Sequence, residues 1–122
     1  MAVPILRQGH YLIASIQSAL SDQDLVQLRD DLAELVGRHR ARGVIVDVTA
    51  LDVLDSFATR TLRAIAYMTK LRGAETVIVG IQPEVALSMV QLGLSLADVP
   101  TALDLEEGLA FLNMRLEGDH GQ

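Results

Sequence analysis

Apolar residues along this chain recur at two spacings, and the alternation between them predicts the architecture. Short runs at Val3 to Leu6 and Tyr11 to Ile16 flank Gln8-Gly9-His10, which reads as a tight turn between two strands. From Leu25 the period changes. Leu25, Leu28, Leu32, Leu35 and Val36 fall on one face of a helix. Ser21 or Asp22 caps it, Asp22 and Asp24 occupy its first turn, Arg38, Arg40 and Arg42 crowd its end, and Gly43 closes it. Acids at the start and bases at the end complement the helix dipole, each contributing a few tenths of a kcal/mol.

Val44 to Val48 has the continuous apolar, β-branched character of a strand covered on both faces. The spacing then predicts a helix over Ser56 to Leu71, with Ala58, Leu62, Ile65, Ala66 and Thr69 inward, and Arg60, Arg63, Tyr67 and Lys70 outward. Gly73 stops it. Thr76 to Gly80 predicts a second buried strand, Pro83-Glu84 opens a helix ending near Gly93, and Val99 to Leu103 is a short edge strand. Asp104 caps a last helix striped by Leu105, Leu109, Leu112 and Leu116, and residues 117–122 are expected to fray. Strands alternating with helices after an opening hairpin define an α/β fold: a mixed, mostly parallel sheet with helices packed against it, opened by an antiparallel strand pair. No linker or repeat divides residues 1–122, so one domain is expected.

Two helices carry more apolar surface than one sheet face uses. Val85, Met89 and Leu92 serve the core, which leaves Leu87 and Val90 pointing elsewhere, and Phe57 is off the inward stripe of its own helix. Covering loops and a partner surface are both open as explanations.

Composition narrows the function classes. Half of the residues are hydrophobic, yet Tyr11, Phe57, Tyr67 and Phe111 are the only aromatics, so the core is aliphatic. The absence of cysteine excludes disulfides, thiolate catalysis and cysteine-based zinc sites, and fits a reducing cytoplasm as the expected compartment. No apolar run reaches the ~20 residues that span a bilayer, and the first residues lack a secretory signal pattern, so no membrane association is expected. A net charge of -6 argues against nucleic acid as a partner.

Candidate chemistry concentrates after the central strand. The segment from Val46 to Arg60 carries an aspartate-rich loop into a helix start, where Asp55-Ser56 sits beside unpaired backbone N–H groups and the positive end of a dipole. Two readings of Ser56 stay open from the residues alone: a helix cap, or a hydroxyl placed for phosphorylation, with Arg60 one turn along and Asp52 and Asp55 repelling the new charge. Thr59 and Thr61 offer further hydroxyls, Thr59 half-exposed, and Ser88 is expected to be accessible early in the penultimate helix.

Catalysis is not expected. His10, His39 and His120 are dispersed, no Gly-x-Ser-x-Gly elbow or Gly-rich phosphate loop is present, and the one lysine, Lys70, falls on a helix rather than after a late strand. Asp47, Asp52 and Asp55 are more simply strand, loop and cap residues than a metal cluster, so neither metal nor cofactor is expected.

The run Val-Asp-Val-Thr-Ala-Leu-Asp-Val-Leu-Asp-Ser at 46 to 56 resembles the STAS domain, named for sulfate transporters and anti-sigma factor antagonists. Asp55-Ser56-Phe57-Ala58, together with Val79-Gly80-Ile81-Gln82-Pro83-Glu84-Val85-Ala86 and Leu92-Gly93, most resembles the RsbS-type scaffolds of the stressosome. The resemblance runs from about Val3 to Leu116. It implies a non-catalytic scaffold that co-assembles with RsbR-type paralogues, forms homo-oligomers, and holds a serine/threonine switch kinase of the RsbT type. Phosphorylation at the position of Ser56 would release that kinase. The surface meeting it would comprise Asp52, Asp55, Phe57, Thr59 and Arg60. Ser88 matches a second phosphorylated position in the paralogues. Stand-alone anti-sigma factor antagonists usually carry Ser/Thr-Gly where this chain has Phe57-Ala58. That departure favours the stressosome branch, with a stand-alone antagonist as the alternative and a small-ligand carrier or enzyme using the loop from Asp52 to Ser56 as a third reading.

Overall fold

The computed structural model describes residues 3–120. Its strands β1 (Ile5–Gln8), β2 (Tyr11–Ser15), β3 (Gly43–Asp47), β4 (Glu75–Val79) and β5 (Thr101–Ala102) form one five-stranded sheet in sequence order. β1 and β2 are antiparallel, with Gln8 opposite Tyr11 and Gly9 at φ 59° in the two-residue turn. β2 to β5 are parallel. The helices are α1 (Asp22–His39), α2 (Ser56–Leu71), α3 (Pro83–Gln91) and α4 (Leu105–His120).

Side-chain alternation along the strands decides where each helix lies. Leu12, Ala14, Val44, Val46 and Ile78 join one buried cluster with Leu28 and Leu32 of α1, Leu62 and Ile65 of α2, and Val85 and Met89 of α3. Ile13, Ile45, Val77 and Val79 point the other way and cluster with Leu112 of α4. Three helices therefore cover one face and α4 covers the other. Its close approach is permitted by two glycines: a Cβ on Gly108 would meet Val79 Cγ1 at 2.7 Å, and one on Gly43 would meet Leu112 Cδ1 at 2.8 Å.

The expected elements are present with shifted ends. β1 begins two residues later than expected, at Ile5. Ser21, not Asp22, caps α1, in a reciprocal box with Asp24. Arg40, in the left-handed region at φ 50°, ends α1, while Gly43 is buried as the first residue of β3 rather than serving as a helix stop. Helix α3 closes at Gln91, so Leu92 is 68% exposed instead of facing the core. Residues 117–120, expected to fray, continue α4, and residues 121–122 lie outside the described residues. Thr69, placed inward by its spacing, is fully buried and shares a 2.6 Å hydroxyl contact with Thr76 that ties α2 to β4. No helix among the described residues is long and apolar enough to cross a membrane.

Candidate functional site

Parallel β3 and β4 both end at the same edge of the sheet, and each hands the chain to a loop and a helix N-terminus there. In α/β sheets this carboxyl edge is where functional groups gather. The β3–α2 loop is pinned at both ends of its length. Asp47 Oδ1 accepts from the Thr49 N–H at 2.9 Å and from the Thr49 hydroxyl at 2.6 Å, closing a local turn. Leu51 and Leu54 are buried at 7% and 4% exposure, whereas Asp52 and Val53 between them are exposed. Asp47 is therefore engaged in the turn. Among the described residues no group of three or more His, Cys, Asp or Glu side chains is arranged to hold a metal ion.

Asp55 rather than Ser56 is the N-cap of α2. Its carboxylate accepts from the Ala58 N–H at 2.8 Å, and its carbonyl accepts from the Thr59 N–H at 2.9 Å. Ser56 is thus the first residue of the helix, exposed, with its hydroxyl not used for capping. The pair does start the helix, with Asp55 and not Ser56 as the cap. Removing the Asp55 carboxylate should weaken the helix start: Asp55→Ala is expected to cost about 1 kcal/mol, measurable as a lowered thermal midpoint.

The other expected surface residues separate. Asp52, Asp55, Ser56 and Arg60 are exposed. Phe57 is half-buried and packs against the main core, which accounts for its place off the inward stripe. Thr59 corrects its expectation: it is 2% exposed rather than half-exposed, and its hydroxyl finds no hydrogen-bond partner among the described residues. Thr61, in contrast, donates to the Phe57 carbonyl at 2.8 Å. A buried hydroxyl without a partner costs about 1–3 kcal/mol relative to a satisfied one. Thr59→Val, which keeps the shape and removes the polar atom, is therefore expected to raise stability by about 1 kcal/mol. A lower melting temperature in that variant would show the hydroxyl to be engaged.

Ser88 lies exposed on α3 as expected, with Leu87 (58% exposed) and Val90 (75%) beside it on the outer surface. The loops leading to Ser56 and to Ser88 are joined: Gln82 Nε2 donates to the Thr49 carbonyl at 2.5 Å. Gly80, at φ 82°, makes room for Thr49, since a Cβ there would stand 1.9 Å from its hydroxyl oxygen. Thr49, Gly80 and Gln82 were not singled out as site residues from the sequence. The available signal was the Gly80-Ile81-Gln82-Pro83 run, which already carries part of the family resemblance.

Comparison with known proteins identifies the family to which this fold belongs. The family model of the STAS domain matches residues 2–108. Moorella thermoacetica RsbS carrying a serine-to-glutamate substitution is similar in structure, with a TM-score of 0.81 and 34% identity over 94% of this chain and 97% of that one. A chain from the stressosome architecture, described as a signal integration and transduction hub, matches with a TM-score of 0.78 and 35% identity over 93% of this chain and 98% of that one. In sequence, the RsbT co-antagonist protein RsbRA of Bacillus subtilis (strain 168) is 30% identical over 83 residues, 68% of this chain. This chain spans only 30% of that relative's length. The chain belongs to the STAS domain family, in its stressosome-type, anti-sigma factor antagonist-like branch.

Proposed function

We propose that this chain is a non-catalytic scaffold of a stressosome-like complex, which holds a serine/threonine switch kinase of the RsbT type and releases it on phosphorylation of Ser56. One observation carries the reading. On a loop pinned by Leu51, Leu54 and Gln82, Asp55 takes the capping role and leaves the Ser56 hydroxyl exposed at the first turn of α2. The similarity to RsbS and to RsbRA, the latter named an RsbT co-antagonist, supports reading the partners as an RsbR-type paralogue and a kinase of the RsbT type.

The charge balance explains release. A phosphate brings about -1.5 to -2 charges and three acceptor oxygens. The α2 N-terminus and Arg60 attract it, while exposed Asp52 and Asp55 repel it. The docking surface, already net negative because Asp52 and Asp55 outweigh Arg60, becomes more negative and bulkier without the core being touched. Ser88, exposed on α3, is the secondary phosphorylation candidate at the same edge of the sheet.

The test incubates the protein, its RsbR-type paralogue and the organism's own RsbT-type kinase with ATP, reading phosphosites by mass spectrometry and kinase retention by co-sedimentation. Phosphate on Ser56 and loss of the kinase are expected, with at least tenfold weaker binding, about 1.4 kcal/mol. Ser56→Ala should keep the kinase bound after ATP, and Ser56→Asp should release it only in part. Kinase release from the Ser56→Ala complex would sink the mechanism.

A further inference from the structure

The exposed face of α2 continues past Ser56 as the cationic wall of a groove whose other side carries the acids Glu75 and Asp98. Arg60, Arg63, Tyr67 and Lys70 follow one another at helical spacing and, with Asp98 and Pro100 ahead of β5, line a cleft of about 880 Å3. In a chain of net charge -6, the side chains of Arg60, Arg63 and Lys70 have no ion pair or hydrogen bond among the described residues. Glu75 at the end of the cleft is engaged by Arg115 at 3.4 Å. The cations run about 15 Å along the helix at 1.5 Å per residue, farther than one anionic group reaches, so the groove favours an elongated acidic surface over a single small anion.

Such a surface exists on the opposite side of the same molecule. Glu106, Ala110, Met114 and Glu117 fall on the outer face of α4, all exposed. The two glutamates are about 16 Å apart along the axis, which matches the reach from Arg60 to Lys70. Each surface also has an exposed apolar middle: Tyr67 on α2 and Met114 on α4 are both 67% exposed. Glu107 is occupied, accepting from the Leu103 N–H at 3.1 Å, and Arg115 points away toward Glu75 and the Phe111 ring.

We propose that the α2 groove receives the outer face of α4 from a second copy of this chain. Arg60, Arg63 and Lys70 meet Glu106 and Glu117, and Met114 packs on the Tyr67 ring, a favourable sulfur–aromatic contact. Because α2 and α4 cover opposite faces of the sheet, a chain cannot satisfy its own groove. The contact is head-to-tail, and each copy retains one free half for further addition. This deepens the assembly part of the scaffold reading; Arg60 is shared with the Ser56 surface, whereas Arg63 and Lys70 lie farther along α2 and belong to the groove alone.

Sedimentation velocity on the purified chain tests it, at about 20 mM and about 500 mM salt, where the screening length falls well below the span of the groove. Concentration-dependent association is expected at low salt, weakened at least tenfold at high salt. The Arg63→Glu/Lys70→Glu and Glu106→Lys/Glu117→Lys variants, each folded by its melting curve, should be monomeric alone and associate again when mixed. Ser56→Ala should associate like the parent chain, separating this result from the switch. A parent chain that stays monomeric, association that ignores salt, or variants that associate alone would each overturn the proposal.

Discussion

Gly80→Val is expected to lower the stability of this protein by about 2–5 kcal/mol. Two costs add. A β-branched residue at φ 82° is forced into a region that costs L-residues about 1–2 kcal/mol. Its Cβ also collides with the Thr49 hydroxyl at 1.9 Å and crowds the Thr49 backbone Cα at 3.1 Å, an overpacking cost of about 1–3 kcal/mol. At about 4 °C per kcal/mol for a domain of this size, thermal denaturation should show a midpoint lower by about 8–20 °C. Gly80→Ala has the same collision without β-branching and should fall between. Adding Thr49→Ala removes the hydroxyl but not the backbone conformation, so it should restore only part of the loss. A Gly80→Val protein that melts with the parent would show that the β3–α2 loop moves aside freely. In that case the loop could not hold Ser56 in place.

The same glycine shows what could be read from the chain and what could not. Binary patterning placed every strand and helix, because the central strands are covered on both faces and most buried positions are apolar: Leu62 and Ile65 of α2, and Leu112 of α4, fall where their spacing put them. Element ends were less legible. Arg40 ends α1 by adopting the left-handed conformation usually left to glycine, so the composition pointed to Gly43, which the close approach of α4 requires instead. At the site, Ser56 was visible because helix starts favour Asp and Ser together, but the pattern could not say which of the pair caps. That depends on the Asp55 carboxylate reaching the Ala58 N–H. Thr59 was misplaced because a threonine three residues into a helix says nothing of the tertiary cover above it. The tie between Thr49 and Gln82, 33 residues apart, lies beyond any local pattern.

Leu54→Ala should separate the rigidity of the switch loop from the chemistry of the serine. Leu54 is 4% exposed and belongs to the main core, immediately before the Asp55 cap. Truncating a buried leucine costs about 2–5 kcal/mol, according to how far the surroundings collapse into the space. A loop site beside a helix start relaxes more readily than a strand centre, so about 2–3 kcal/mol is expected here. Native-state amide exchange should show where that loss is concentrated. Amides from Leu51 through Ala58 should exchange faster, while those of β3 and β4 shift only with global stability. Val53→Ala is the control, since Val53 is 70% exposed and its loss leaves the core intact. If pinning presents Ser56 to the kinase, Leu54→Ala should weaken kinase retention before any phosphate is added, in a protein still folded at the assay temperature. Val53→Ala should weaken retention only if its own side chain touches the kinase. Retention unchanged in Leu54→Ala, despite faster exchange through the loop, would mean that the kinase recognises Ser56 in an ordered or a loosened loop alike. The pinning by Leu51, Leu54 and Gln82 would then serve stability alone.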